Sequence, residues 1–370
     1  MSDVSAPITW RGRVTAVLIG LLLLGIAAEP VLRIAMPNWS EYHSGRFMMR
    51  LNVPDQPVTS IGVPGFDGWF SQNNGDFRVR IRINEFGLRN DQPANAADNR
   101  IWILGDSMSF GWGVERTETY TQILADRLGA GTYNVATPGS SVCGWQTLYS
   151  RMPRELRPTA VVVGLTIENR MGLYDCTAEA RVVPLAPEPV SPSLSAAKTF
   201  LTEHSAVYNF FTVSLKRIGP VQTALMKLGL INDPGQVLLH GQDPAKAPQM
   251  IESTAGELRR LRAMAAGRPF LVVLFPARFE LRDGNPYFQQ LRAGIADALK
   301  KEGIDTLDLY PDFKAAGFSA THFAHDGHWN ARGHQVAGEA LARWFTAYRG
   351  AQADERPGGQ AQPAPGGSQR

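Results

Sequence analysis

The chain reads as an α/β protein with a parallel sheet of about five strands, and three observations carry that reading. From residue 100 onward, apolar strand-like runs alternate with stretches of helical spacing, the rhythm of a parallel sheet covered by helices. The runs number five and fit a flavodoxin-like three-layer sandwich. At 370 residues and 44% hydrophobic content, the chain is long enough for one large domain with appendages and ordinary in its apolar fraction.

The elements follow in order. Residues 14 to 28 (VTAVLIGLLLLGIAA) are uncharged and apolar, with Arg11 and Arg13 before them and Glu29, Pro30 and Arg33 after. The run is shorter than the roughly 20 residues that span a bilayer, so helix on its flanks must extend it. We take residues 1–33 as an uncleaved anchor, because no clear A-x-A site precedes a polar mature start. A signal peptide cleaved near Ala27 and Ala28 has a similar layout, and a buried helix is the third reading. In the first two, the basic flank stays inside and the rest is exported. The expected placement is therefore a single-pass membrane anchor with the following chain exported, or secretion after cleavage.

Residues 34–76 are rich in Pro, Gly, Asn and Ser and read as a loop-rich juxtamembrane segment. Then FRVRIRI, residues 77 to 83, alternates strictly, which sets Val79, Ile81 and Ile83 on one strand face. Arg78, Arg80 and Arg82 take the other face, as a solvated surface or one that meets an anionic glycan. The five sheet runs are 101 to 104, 132 to 136, 159 to 165, 270 to 275 and 305 to 309.

Helical stripes join Tyr120, Ile123, Leu124 and Leu128; Tyr287, Leu291, Ile295 and Leu299; and Val336, Ala337, Ala340, Leu341, Trp344 and Phe345. The stretch from about 171 to 265 interrupts the rhythm as an insertion, its VVPLAPEPVSPSL part a loop and residues 205 to 217 and 249 to 266 helical. It can cap a site or merely fill space. The main domain thus spans 77–350, with the insertion at about 171–265, and the tail 351–370 lacks the apolar surface to fold.

Composition excludes several classes. A formal charge of +3, with scattered basic residues, gives no case for nucleic acid as a partner. Cys143 and Cys176, the two cysteines of the chain, exclude a disulfide-rich scaffold and a four-cysteine zinc cluster.

Two segments carry chemistry. In IWILGDSMSFGWGV, residues 101 to 114, a strand runs into Gly105, Asp106 and Ser107. A small residue lets the chain bend there, which would put Ser107 at a helix start on the carboxyl edge of the sheet, its own N–H available to an oxyanion. Serine is also a common helix cap, the bland alternative. In HFAHDGHWNARGH, residues 322 to 334, His328 can take the serine proton and return it to a leaving group, while Asp326 fixes its tautomer. The bland alternative is a capped turn. Four of the seven histidines also fall here, so His322, His325, Asp326 and His328 make a candidate metal site.

Together the two segments resemble the SGNH (GDSL-like) hydrolase family. GDSMSFGWGV corresponds to its first block, NVATPGSSVCGWQ to the second and DGHWNARGH to the closing Asp/His block. INEFGLRND ahead of NRIWILGDS looks like membrane-anchored bacterial members, and the D-x-H spacing resembles alginate O-acetyltransferase-like relatives, where many members carry D-x-x-H. The resemblance covers about residues 77 to 348. It implies the SGNH hydrolase fold, no cofactor, no metal, Ser107 as nucleophile with Asp326 and His328, and Gly139 in the oxyanion hole beside the Ser107 N–H.

The third block departs from the family: G-x-N-D is expected, but the chain reads VVVGLTIENRMG. Ungapped alignment puts Glu168 at the asparagine position; a shift of one residue makes Asn169 the third oxyanion donor. Chemistry favours the shift, since an amide donates to an oxyanion and a carboxylate repels it. Cys143 and Cys176 follow Gly139 and Asn169 closely, so in an oxidising compartment they either bridge two oxyanion-hole loops or remain two buried thiols.

The expected activity is that of a serine-dependent ester enzyme, with an acyl ester or acetylated envelope glycan as substrate. The anchor, the D-x-H spacing and the insertion lean toward transfer to a glycan hydroxyl over transfer to water. The altered third block supplies the alternative, a catalytically silent carbohydrate-binding protein on the same fold.

Overall fold

The computed structural model describes residues 9–72, 74–181, 192–215, 219–228, 230 and 242–354. Its centre is a parallel sheet of β5 (Ile101–Gly105), β6 (Thr132–Asn134), β7 (Ala160–Thr166), β8 (Phe270–Phe275) and β9 (Asp305–Asp308), ordered β6-β5-β7-β8-β9. This is the doubly wound order whose reversal leaves a crevice at the carboxyl ends of β5 and β7.

Strand geometry sends successive side chains to opposite faces, and two cores result. Trp102, Leu104, Val161, Val163, Val272 and Leu274 meet helices Val142–Arg151, Ala247–Met264 and Pro286–Lys301 on one side. Ile101, Ile103, Val162, Leu271 and Val273 meet helices Tyr120–Leu128 and Ala331–Asp354 on the other. The three helical stripes read from the sequence lie in these helices. Tyr287, Leu291, Ile295 and Leu299 are all buried.

The segment 34–76 is more ordered than its composition suggests, and the loop-rich reading is corrected here. It holds β1 (Met48–Leu51) paired with β2 (Thr59–Gly62), and β3 (Asp67–Ser71) paired antiparallel with β4 (Arg78–Arg82). These ribbons are short, so periodicity had too few residues to show itself. Burial against a neighbour stabilises them instead: Phe47, Phe70, Phe77, Val79, Ile81 and Ile83 form one aromatic-rich cluster with Phe110. Along β4, Arg78, Arg80 and Arg82 are exposed and bound by carboxylates, Arg78 to Glu41 at 2.8 Å and Arg80 to Asp67 at 2.7 Å.

An exposed helix, Trp10–Ala35, precedes this unit, with a mean hydropathy of 2.2 over its most apolar window. It extends the apolar run at both ends, to a length and composition that suit a membrane span or a signal sequence. Near its end Glu29 accepts hydrogen bonds from the Ala206 and Val207 N–H groups (2.9 and 3.1 Å) and the Ser205 hydroxyl (3.0 Å). Leu32 and Met36 pack on Trp39, Tyr42 and Ala206 beside it. Within the insertion, helices Pro192–His204, Ala206–Asn209 and Ala247–Met264 are present. Residues 182–191 of its Pro-rich part lie outside the described residues, and Pro192–Leu194 begin a helix rather than continuing a loop. The closing helix runs to Asp354, so residues 351–354 of the expected tail are helical; residues 355–370 lie outside the described residues.

Candidate active site

Strand β5 ends at Gly105, and Ser107 is the first residue of the short helix Ser107–Phe110. Gly105 sits at φ +151°, and a Cβ there would come within 2.2 Å of the Ser109 hydroxyl. No other residue type fits this bend without displacing its neighbours. Asp106 caps the helix: its buried carboxylate accepts from the Met108 N–H at 3.0 Å and the Thr166 hydroxyl at 3.2 Å. Arg170 Nε lies 3.0 Å from the other oxygen, a charge contact rather than an aligned hydrogen bond. As the first helical residue, Ser107 has an N–H with no partner inside the helix.

His328 and Asp326 arrive from the far end of the chain, on the loop between helix Phe318–Thr321 and the closing helix. His328 Nε2 stands 2.8 Å from Ser107 Oγ, and its Nδ1 bonds Asp326 Oδ1. The His328 N–H donates to the same oxygen at 2.9 Å. Burial alone would raise the Asp326 carboxyl; the His328 ring bond and charge, the His328 N–H and the Gln72 amide outweigh it and hold the group well below the usual carboxylate range. Trp112 lies over the imidazole, ring centroids 5.5 Å apart and planes inclined by 28°.

A cavity of about 110 Å³ opens beside this set, lined by Ser107, Glu168, Asn169, Arg278, Gly327 and His328 among others. Glu168 and Asn169 have separate surroundings. Arg278 engages the Glu168 carboxylate through Nε at 2.8 Å and through its backbone N–H at 2.9 Å. Asn169 is exposed at the cavity wall; its backbone N–H donates to the Thr166 carbonyl at 3.3 Å, and its side-chain amide has no protein partner among the described residues. Gly139, at φ +79°, does not line the cavity. It belongs to the loop after β6, which is tied to the end of β5 by Thr137 N–H and Ser140 Oγ bonds to the Gly105 carbonyl (3.2 and 2.9 Å). Cys143 and Cys176 are joined by a disulfide, Cα atoms 5.0 Å apart.

The other histidines turn elsewhere. His322 hydrogen bonds Thr321 and Phe318, and burial pushes its ring down to about 4. His325 bonds Asp76, and His334 accepts from the Tyr120 N–H. Among the described residues, His322, His325, Asp326 and His328 do not converge as a metal-binding group. Sequence reading missed Gln72, Trp112 and Arg278. Trp112 lies within the GDSMSFGWGV block, where nothing marks it as a cover for His328, while no motif marks Gln72 or Arg278, which only the fold brings to the site.

A five-stranded doubly wound sheet of this order is the architecture of the SGNH hydrolase fold, and a serine, a histidine and an aspartate stand in bonding order at its crevice. The chain belongs to the GDSL-like Lipase/Acylhydrolase family, whose profile matches residues 103–336. No curated protein matches it in sequence. Among solved structures it is similar to a member of the lipolytic protein G-D-S-L family from Veillonella parvula. That likeness has 12% identity and a TM-score of 0.38 and covers 67% of this chain and 98% of the other. It is also similar to a carbohydrate esterase family 2 enzyme with its carbohydrate binding domain from Corynascus thermopiles (17% identity, TM-score 0.40, 68% of this chain and 67% of the other). A third is Est24, a carbohydrate acetylesterase from Sinorhizobium meliloti (12% identity, TM-score 0.36, 68% of this chain and all of the other). Likenesses this distant add nothing about substrate.

Proposed function

We propose that the chain is a serine-dependent enzyme of acyl esters, above all acetyl esters, working through an acyl-enzyme. The observation that carries the reading is the hydrogen-bonded series Ser107 Oγ, His328 Nε2, His328 Nδ1, Asp326 Oδ1. Ser107 Oγ attacks the acyl carbonyl while its proton passes to His328 Nε2. The tetrahedral oxyanion then collapses, and the alcohol departs with that proton. Asp326 orients the ring and stabilises the imidazolium. The N–H groups of Ser107 and Gly139 and the Asn169 amide are the proposed oxyanion donors, Asn169 being preferred because Glu168 is held by Arg278. Water or a sugar hydroxyl resolves the acyl-enzyme by the same steps in reverse.

The cavity of about 110 Å³ is small beside the 300–1,000 Å³ of sites for drug-sized ligands, which favours a short acyl group. The apolar N-terminal helix and the Cys143–Cys176 bridge support an exported, membrane-anchored protein acting on acetylated envelope glycan. Transfer to a glycan hydroxyl is the preferred outcome for the acyl group. Release of acetate at one rate with and without envelope oligosaccharides, and no acetylated sugar, would leave a hydrolase.

Turnover of a chromogenic acetyl ester tests the core of the proposal. Ser107→Ala should abolish it in a folded protein, and a fluorophosphonate should label Ser107 alone. Stoichiometric label on another residue overturns the assignment, and absence of any turnover in the wild type returns the chain to a silent binding role.

A further inference from the structure

The segment ahead of residue 84 lies outside the matched family region of 103–336, yet it reaches the acid end of the site. Gln72, at the end of β3 and 7% exposed, donates its amide N–H to Asp326 Oδ2, the oxygen that His328 does not use. Asn74 donates to Gln72 Oε1 at 2.9 Å, which fixes the amide with its nitrogen toward the carboxylate. Asp76 accepts from the His325 N–H at 3.1 Å and bonds its ring at 2.9 Å, clamping the same loop one residue before Asp326. From the same ribbon, Phe70 meets Trp112 edge-on at 4.7 Å, and Trp112 covers the His328 ring.

From this juxtaposition we propose that the β3–β4 ribbon is a positioning element of the active site and that Gln72 is its positioning residue. It holds the Asp326 carboxylate at the rotation in which one oxygen faces His328. The inference rests on the proposed catalytic roles of Ser107, Asp326 and His328.

The physical argument concerns one torsion. A carboxylate on a loop can rotate, and each rotation that takes Oδ1 from Nδ1 lets the imidazole choose another tautomer. Gln72 binds the second oxygen and removes that freedom. Its donation also withdraws charge from the carboxylate, lowering the basicity that Asp326 imposes on His328. Loss of the donor therefore lowers the rate at saturating substrate and makes His328 harder to deprotonate. Neither effect concerns substrate binding.

The test uses the full chain in detergent, a chromogenic acetyl ester and kcat and KM measured across pH. Gln72→Leu should lower kcat about tenfold or more with KM within about twofold, and shift the acid limb of kcat/KM to higher pH. The near-isosteric Gln72→Glu can donate only as the neutral acid, so its kcat relative to wild type should fall with rising pH through one ionisation. Wild-type kcat within twofold and an unmoved acid limb in folded Gln72→Leu overturn the inference. Should that variant not fold, a Gln72→Glu to wild-type ratio that is constant with pH overturns it. A Ser107→Ala protein that still turns over ester instead removes the catalytic reading beneath it, whatever Gln72 does.

Discussion

The two ends of the Ser107–His328–Asp326 series are held by different means. At the nucleophile end the residues next to Ser107 in sequence do the work: β5 is buried along its length, Gly105 permits the bend and the Asp106 carboxylate caps the helix that begins at Ser107. At the acid end the loop carrying Asp326 and His328 has little regular structure and is fixed by side chains from the N-terminal ribbon. A fold can place an atom through its chain neighbours or lend it a distant one. The first way is written locally in the sequence and the second is not.

The sharpest way to break the comparison is to ask whether the ends act as one unit. Ser107→Ala and His328→Ala should each reduce acetyl ester turnover by several powers of ten, and the double variant should be no slower than either. Additive losses would show two independent groups rather than one relay.

Next in size is the choice between neighbours on the cavity wall. Asn169→Ala should cost about 100-fold in kcat if its amide meets the oxyanion, the usual loss for one such donor. Glu168→Gln should disturb turnover less, since its carboxylate faces Arg278. A larger loss at Glu168 in steady-state kinetics would reverse the assignment.

The nucleophile side also carries the Cys143–Cys176 bridge, which closes a loop with a sequence separation of 33. Its removal by paired alanine substitution should lower stability by about 3 kcal/mol, read as a shift of the denaturant midpoint. An unchanged midpoint would place the rigidity of that side in the sheet alone.

A pH dependence of stability belongs to the acid side. Burial holds His322 and His334 neutral, pushing them down to about 4 and about 3. Below pH 6.5 the unfolded chain takes up protons that the folded one refuses, so stability falls from about pH 6.5 toward pH 4. The Asp326 carboxyl, held low, contributes above the ordinary carboxylate range and is lost only in stronger acid. A thermal midpoint recorded against pH should therefore slope in that upper window, and His334→Gln should make the slope shallower.

How legible the molecule was follows the same division. Burial along their whole length makes the three central strands β5, β7 and β8 nearly continuous apolar runs in the sequence, the edge strands β6 and β9 are more polar and weaker signals, and the helical stripes show because one face of each helix meets the sheet. The GDS turn and the D-x-H block are local, and Ser107, Asp326 and His328 could be named from them. β1 to β3 could not be read, being four or five residues long and held by an aromatic cluster drawn from distant segments. Gln72 meets a partner 254 residues away, a contact that exists only after folding. The insertion helices were read in part: the stretches at 205 to 217 and 249 to 266 show helical spacing and are helical where described, whereas Pro192–His204 begins inside a proline-rich stretch that reads as loop.

Glu29 closes the account of how the domain is mounted. Its carboxylate takes two backbone N–H groups and a hydroxyl from the start of the segment at Ala206, close to the end of the exposed N-terminal helix. A helix fastened this way is a post rather than a leash. If the apolar stretch sits in a bilayer, as proposed, these bonds would dock the helix end against the Ala206 segment rather than leave it a free tether.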